Sequence, residues 1–386
     1  MKDLEIERVS VHVVGPETER HAWASDMHTQ YMTNTIVRLK TRGGLEGVAG
    51  VSSFTEFGFD RAVAETIRPL LPHLIGASPH SREALWQKLL NRSIPVAPQA
   101  HSAIDIALWD LAGKQLQAPI WKLLGGWRKR LPTYASTYHG DRNGGLSSAQ
   151  DYVDFAEQCY EMGYRAFKMH GWCDGNAQQE SAAVLALGNQ FRGRMTLMLD
   201  PACELRTFAD TLAVGRACDE AGFFWYEDPM RDGGWSQFAH RKLRQFIKTP
   251  LLQTEHVRGL EPKADFIVND GTDFVRADPE YDLGITGTMK IAHLAEAFGL
   301  DVELHAPGPA HRHCMAAIRN TNFYELALVG PKCRNAMPPV YADAYSDQLD
   351  GVGKDSCFPV PDGPGLGVTY DWDFIKRHRT QLHEFK

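Results

Sequence analysis

Six short apolar runs in this sequence end on ionisable side chains. Lys168 and His170 close AFKMHG, Asp200 closes TLMLDP, Glu227 closes FFWYEDP, Glu255 closes PLLQTEH, Asp278 closes DFVRADP and His305 closes DVELHAP. Asp200 and Glu227 lie 27 positions apart, Glu227 and Glu255 28. Each interval is the length of one strand, one helix and two loops, so the three carboxylates are expected to be neighbours. Converging acids would repel by about 4 kcal/mol per pair at an effective dielectric of 20. A hard divalent cation removes that penalty, and oxygen-only ligands favour Mg2+. Any one of the three could instead cap a helix or pair with an arginine; three at consecutive run ends argue for the metal. Asp278 beside His305 would fix an imidazole tautomer and raise its basicity, as suits a general acid or base. Lys168 would present its ammonium to the same place, to neutralise a substrate carboxylate or take a proton. Glu325 opens a weaker run, ELALVG, and could donate a hydrogen bond if protonated.

These residues need a frame that brings run ends together. With LPTYASTY (131–138) and ELALVG there are eight β-type runs beyond Leu131, their starts about 22 to 35 residues apart and separated by helix-like segments. Parallel strands buried on both faces read as continuous apolar runs and need helical crossovers. Eight such units point to a closed (β/α) barrel, whose reactive side chains come from the C-terminal strand ends. Before it, Leu4–Val14, Tyr31–Leu39 and a third run ending near Val51 read as strands. Helical spacing covers Arg61–Leu74, Ser81–Leu90 and Ser102–Leu116. The expected organisation is an α+β capping domain (1–128), the barrel (129–358) and a tail (359–386), with a Gly/Pro turn and a last polar helix, packed on the cap.

The 386 residues are 43% apolar and 23% charged, ordinary globular usage that excludes disorder and disulfide-stapled mini-folds. Forty-one basic against 48 acidic side chains give −7. No basic block argues for nucleic acid or an anionic membrane as partner. The start alternates charged with apolar residues, unlike a signal peptide, and no apolar stretch is long enough to span a bilayer. The seven cysteines are an odd number with no Cys-x-x-Cys pair. Reduced thiols in a cytoplasmic enzyme are the expectation.

The helix SAIDIALWDLAGK with PIWKLLGG, the acids of MLDP, WYEDP and QTEH, and DPEYDLGITGTMKIAHLAEAFGLDVELH together resemble the enolase superfamily, mandelate racemase subgroup, over nearly the whole chain. Asp278 and His305 stand at that subgroup's dyad spacing, and Glu325 falls where mandelate racemase carries its electrophilic glutamate. The resemblance implies a modified (β/α)7β barrel under an α+β cap that the tail completes. It also implies one Mg2+ held by Asp200, Glu227 and Glu255, and removal of the α-proton of a carboxylate substrate through an enediolate. A symmetric homo-oligomer, dimer to octamer, is implied as well. Two cap loops would close over the substrate, His21 to Gln30 and Ser52 to Phe59. His21, Trp23, His28 and Tyr31 would offer polar, stackable groups, Phe54 and Phe57 would narrow the site, and Trp172 and the His311/His313 pair would line it. For each of these a surface or inter-domain contact is the alternative.

Two departures bear on the reaction. The family's Lys-x-Lys pair reads Lys168-Met169-His170, and Asp-x-Asn reads Asp200-Pro201-Ala202. Losing the second lysine weakens racemisation, which needs bases on both faces of the α-carbon. Dehydration of an aldonic or aldaric acid to a 2-keto-3-deoxy acid fits better, with His305 as acid and Lys168 or His170 as base, or His305 as both in a syn elimination. A racemase, epimerase or lactone cycloisomerase is the alternative within catalysis, and a non-catalytic binding protein is the alternative outside it.

Overall fold

β-Branched, apolar-rich segments near the start form β1 (Ile6–Val14), β2 (Thr33–Thr41) and β3 (Glu46–Ser53), an antiparallel meander. The computed structural model describes residues 2–15, 33–53, 57–93, 97–140, 144–334, 340–343 and 345–386. The helix Pro98–Gln115 is buried over nearly all its length, against β3 on one side and the barrel on the other. Its approach to β3 is so close that a Cβ on Gly47 would lie 2.3 Å from the Ala107 carbonyl oxygen, so only glycine fits there.

The eight apolar runs form parallel strands: β4 (Arg130–Thr137), β5 (Ala166–His170), β6 (Thr196–Asp200), β7 (Trp225–Glu227), β8 (Leu251–Gln253), β9 (Phe274–Ala277), β10 (Asp301–Leu304) and β11 (Tyr324–Val329). Their order is β10-β9-β8-β7-β6-β5-β4-β11, and β12 (Cys357–Pro359) adds antiparallel to β4. Helices separate successive strands, with side-chain caps from Ser148, Asn176, Thr207 and Ser236 fixing where four of them start. Among the described residues β10 and β11 share no ladder. Side chains bridge that seam: Glu303 accepts from the Asn322 and Phe323 amides at 3.0 and 3.2 Å, and Glu325 accepts from the Ala306 amide at 2.8 Å. At one level of the barrel interior Tyr134, Ala166, Met198, Trp225 and Leu252 pack as a dry layer.

The tail departs from expectation. Only Trp372–His378 is helical, capped by Asp371, and the chain then becomes β13 (Arg379–Phe385). β13 pairs antiparallel with β1, so the N-terminal sheet has the order β13-β1-β2-β3 and its first and last strands come from opposite ends of the sequence. No helix of the described residues is long and apolar enough to cross a membrane.

His313 ties these layers together. Its Nδ1 accepts from the Trp121 amide at 3.2 Å and its Nε2–H donates to the Leu366 carbonyl at 3.0 Å. Burial lowers its pKa to about 4. An unfolded histidine titrates near about 6.5, so the contribution of His313 is full above that pH and is lost as pH falls towards about 4. His313→Ala is expected to lower stability by about 2–4 kcal/mol at pH 7, because two buried backbone groups lose partners. In urea titrations the gap from the parent should shrink between pH 6.5 and 4; a gap that widens would contradict the neutral assignment.

Candidate active site

Strand alternation turns Lys168 and His170 of β5 towards the barrel axis, and Asp200 and Glu227 are the last residues of β6 and β7. Glu255 lies two residues beyond β8, because Thr254 takes a positive φ of 86° and breaks the strand before it. One carboxylate oxygen from each of Asp200, Glu227 and Glu255 lies within 4.8 Å of the other two. Burial pushes Glu227 up to about 8, in spite of Arg276 and Lys168 nearby. Glu255 is lowered to about 2: its burial acts the other way, but His305 and His256 outweigh it. Asp200 is likewise buried, and Lys168 and His170 hold it well below the usual carboxylate range. Arg276 Nε approaches Glu227 Oε1 to 2.8 Å, yet off the hydrogen-bond direction, so that buried oxygen has no directed donor. Three oxygen donors around one point, one of them undersatisfied, fit a hard divalent cation.

Beneath the triad runs a buried ionic layer. Lys168 Nζ sits 2.8 Å from Glu227, 2.9 Å from Glu325 and 3.3 Å from Asp200, with its side chain 1% exposed. Burial alone would lower its pKa, but Glu227 and Glu325 more than offset that and keep the ammonium charged. Arg276 joins Glu227 to Glu325, at 2.7 Å from the latter, and donates to the Leu304 carbonyl and the Tyr134 hydroxyl. Sequence reasoning missed Arg276 by attending to run ends. The signal was present: an arginine inside an apolar strand, two positions before Asp278 and therefore on the same face. It also bears on Glu325. Burial would raise this acid, but Arg276 and Lys168 hold it ionised below the usual range, and it accepts from the Ala306 amide. Both Glu325 oxygens face donors in this arrangement, Oε1 the Lys168 ammonium and Oε2 the Arg276 guanidinium and the Ala306 amide. Arg276→Met would leave Glu227 and Glu325 sharing one cation in a buried site. It is expected to cost about 3–5 kcal/mol in urea unfolding; a loss under about 1 kcal/mol would mean the acids are satisfied without it.

Across the mouth, His305 Nδ1–H donates to Asp278 Oδ2 at 2.7 Å, while Nε2 lies 3.4 Å from Glu255 Oε1. The His305 side chain is 19% exposed, whereas Lys168 and His170 are sealed at 1% and 7%. Burial lowers the His305 pKa, but Glu255 and Asp278 reverse this, and the net direction is upward. His311 takes the other Asp278 oxygen at 3.1 Å, and Glu280 accepts from the Ser52 amide at 2.5 Å, joining the barrel mouth to β3. His311 therefore stands in the site through Asp278, but His313 does not, being committed to Trp121 and Leu366.

His170 donates from Nδ1 to the Thr137 carbonyl and places Nε2 3.1 Å from Asp200. Trp172 is a wall and not a free contact. Its indole donates to the Leu146 carbonyl, lies edge-on to Tyr152 and covers Gly140, where a Cβ would be 2.2 Å from the ring. His21, Trp23, His28, Tyr31 and Phe54 fall outside the described residues, as does the Phe57 side chain.

Comparison with known proteins agrees with this architecture. Residues 8–125 match the mandelate racemase/muconate lactonizing enzyme N-terminal domain, and residues 151–374 match the enolase C-terminal domain-like family. The chain is 27% identical over 371 residues to D-mannonate dehydratase of Sphingomonas sp., covering 85% of this chain and 87% of that one. It is 29% identical over 303 residues to D-gluconate/D-galactonate dehydratase of Picrophilus torridus, covering 75% and 73%. Among solved structures, D-glucarate dehydratase from Agrobacterium tumefaciens complexed with magnesium superposes with a TM-score of 0.83 at 28% identity, covering 98% of this chain and all (100%) of that one. With both family models matched in order along one barrel and its capping sheet, the chain belongs to the mandelate racemase/muconate lactonizing enzyme family of the enolase superfamily.

Proposed function

We propose that the protein is a Mg2+-dependent acid-sugar dehydratase, converting an aldonic or aldaric acid to the 2-keto-3-deoxy acid. The observation that carries this reading is the position of the His305–Asp278 dyad, facing the acid triad with Nε2 3.4 Å from Glu255. Asp200, Glu227 and Glu255 would hold the ion, which when bound supplies Lewis-acid charge to the substrate carboxylate and so eases loss of the α-proton.

The rest is the work of this chain. His305 Nε2 takes the C2 proton, with Asp278 steadying the imidazolium. The same imidazolium then protonates the departing C3 hydroxyl, so C2–H and C3–O break, water leaves and the enol becomes the ketone. Lys168 and Arg276 are fixed cations beneath, holding the acids in register. Racemisation would need a second base opposite His305. The candidates on β5 are Lys168, tied to three carboxylates, and His170, tied to Thr137 and Asp200, which supports elimination. The dehydratases among the relatives support the same substrate class.

Proton NMR in D2O with Mg2+ and pooled acid sugars tests this. A new C3 methylene signal with loss of the C2 proton is expected. Exchange of the C2 proton with the carbon skeleton and hydroxyls retained would overturn dehydration in favour of epimerisation.

A further inference from the structure

Outside the triad, the same three loops carry a second set of donors. Cys203 follows Asp200 by three residues, Asp228 follows Glu227 and His256 follows Glu255. One ligand atom from each of Cys203, Asp228 and His256 lies within 4.8 Å of the other two. His256 Nε2 is 3.9 Å from Asp228 Oδ2. Asp228 is 1% exposed, and neither of its carboxylate oxygens has a hydrogen-bond partner. A buried carboxylate without donors is costly unless it holds a proton or a cation faces it, and a cation that binds there displaces the proton.

The surroundings are built around that carboxylate. The Asp228 carbonyl accepts from the Cys203 amide at 2.6 Å, which holds two of the loops together. Gly234, at φ +73°, packs against the carboxylate, where a Cβ would lie 2.8 Å from Asp228 Oδ1. The His256 side chain is 41% exposed, which leaves a path from solvent.

We propose that Cys203, Asp228 and His256 form a second cation site, distinct from the Asp200–Glu227–Glu255 triad and suited to a borderline-soft divalent ion such as Zn2+. Thiolate with imidazole selects Zn2+ over Mg2+. Tetrahedral Zn2+ with such ligands sets donor atoms about 3.3–3.6 Å apart, so the loops need close by less than about 1.5 Å. Three protein ligands leave a fourth position on the solvent side. Because the loops are shared, an ion here sits directly beside the triad. The site stands apart from the dehydratase reading, since its signature is a metal–thiolate bond that the oxygen-only triad cannot give.

Co2+ reports that bond directly. Added to the full-length chain already saturated with Mg2+, one equivalent of Co2+ is expected to raise a near-ultraviolet thiolate-to-cobalt charge-transfer band, and Zn2+ is expected to bleach it. Cys203→Ser and Cys203→Ala should both lose the band while keeping the parent's circular dichroism. His256→Gln, at an exposed position, should weaken Co2+ binding by at least about tenfold, since even outer partners of a metal cost about 10–100-fold when removed. No band in the parent protein would overturn the site. So would a band that survives in either Cys203 variant, which would place the thiolate elsewhere, for instance at Cys173 beside His139.

Discussion

Glu227→Gln is expected to abolish Mg2+-dependent turnover while leaving a folded protein. The amide keeps the shape of the side chain but removes one of three charges that would hold the ion. Replacing an outer partner of a metal site costs about 10–100-fold in affinity, so loss of a direct ligand should cost at least the upper end of that range. The fold should tolerate the change, because the amide has the volume of the buried carboxylate and its carbonyl oxygen can still accept from Lys168. Lys168 and Arg276 would keep Glu325 as a common partner. Two thermal melts separate these effects. Mg2+ at a hundred times its dissociation constant stabilises the parent by about 2.7 kcal/mol, and the variant should show almost none of that shift. Full turnover together with a normal Mg2+ shift would remove Glu227 from the ligand set.

The reason Glu227 stood out in the sequence is also the reason Arg276 did not. An acid after an apolar run is conspicuous, since the run must be buried and the acid must then find a partner. Arg276 sits inside its run, where a single charge among Phe274, Val275 and Ala277 reads as noise until the period of two links it to Asp278. Yet with Lys168 it faces Glu325, which taken alone could be read as a proton donor. Strand lengths were legible only as upper bounds. PLLQTEH spans seven residues, but the strand is Leu251–Gln253, because Thr254 turns into the left-handed region and re-aims Glu255. β13 was the least legible element: RTQLHEF alternates weakly, and its partner β1 lies at the other end of the chain. Pairing at that separation leaves no local trace in either segment. The seam between β10 and β11 was hidden for a related reason, since it is closed by the Glu303 and Glu325 side chains where periodicity anticipates a ladder.

His305→Asn tests the chemistry itself. Asparagine can still donate to Asp278 from its amide nitrogen, so the dyad's place in the mouth and the His311 bond to the other Asp278 oxygen should survive. What is lost is a group able to accept and return a proton. General acid–base catalysis contributes about 10²–10⁴-fold per group. A residue that serves in both steps should lie at or beyond the upper figure, with Mg2+ affinity little changed because His305 lies outside the proposed ligand set. The decisive measurement pairs turnover with exchange of the C2 proton in D2O. If one imidazole performs both steps, exchange and water loss vanish together. If exchange persists while water loss stops, His305 is the acid alone and the base lies on β5, at Lys168 or His170. Unchanged turnover would remove the dyad from the mechanism altogether. The first outcome is expected, because among Lys168, His170 and His305 only the last combines a carboxylate-fixed tautomer with an Nε2 open to the mouth.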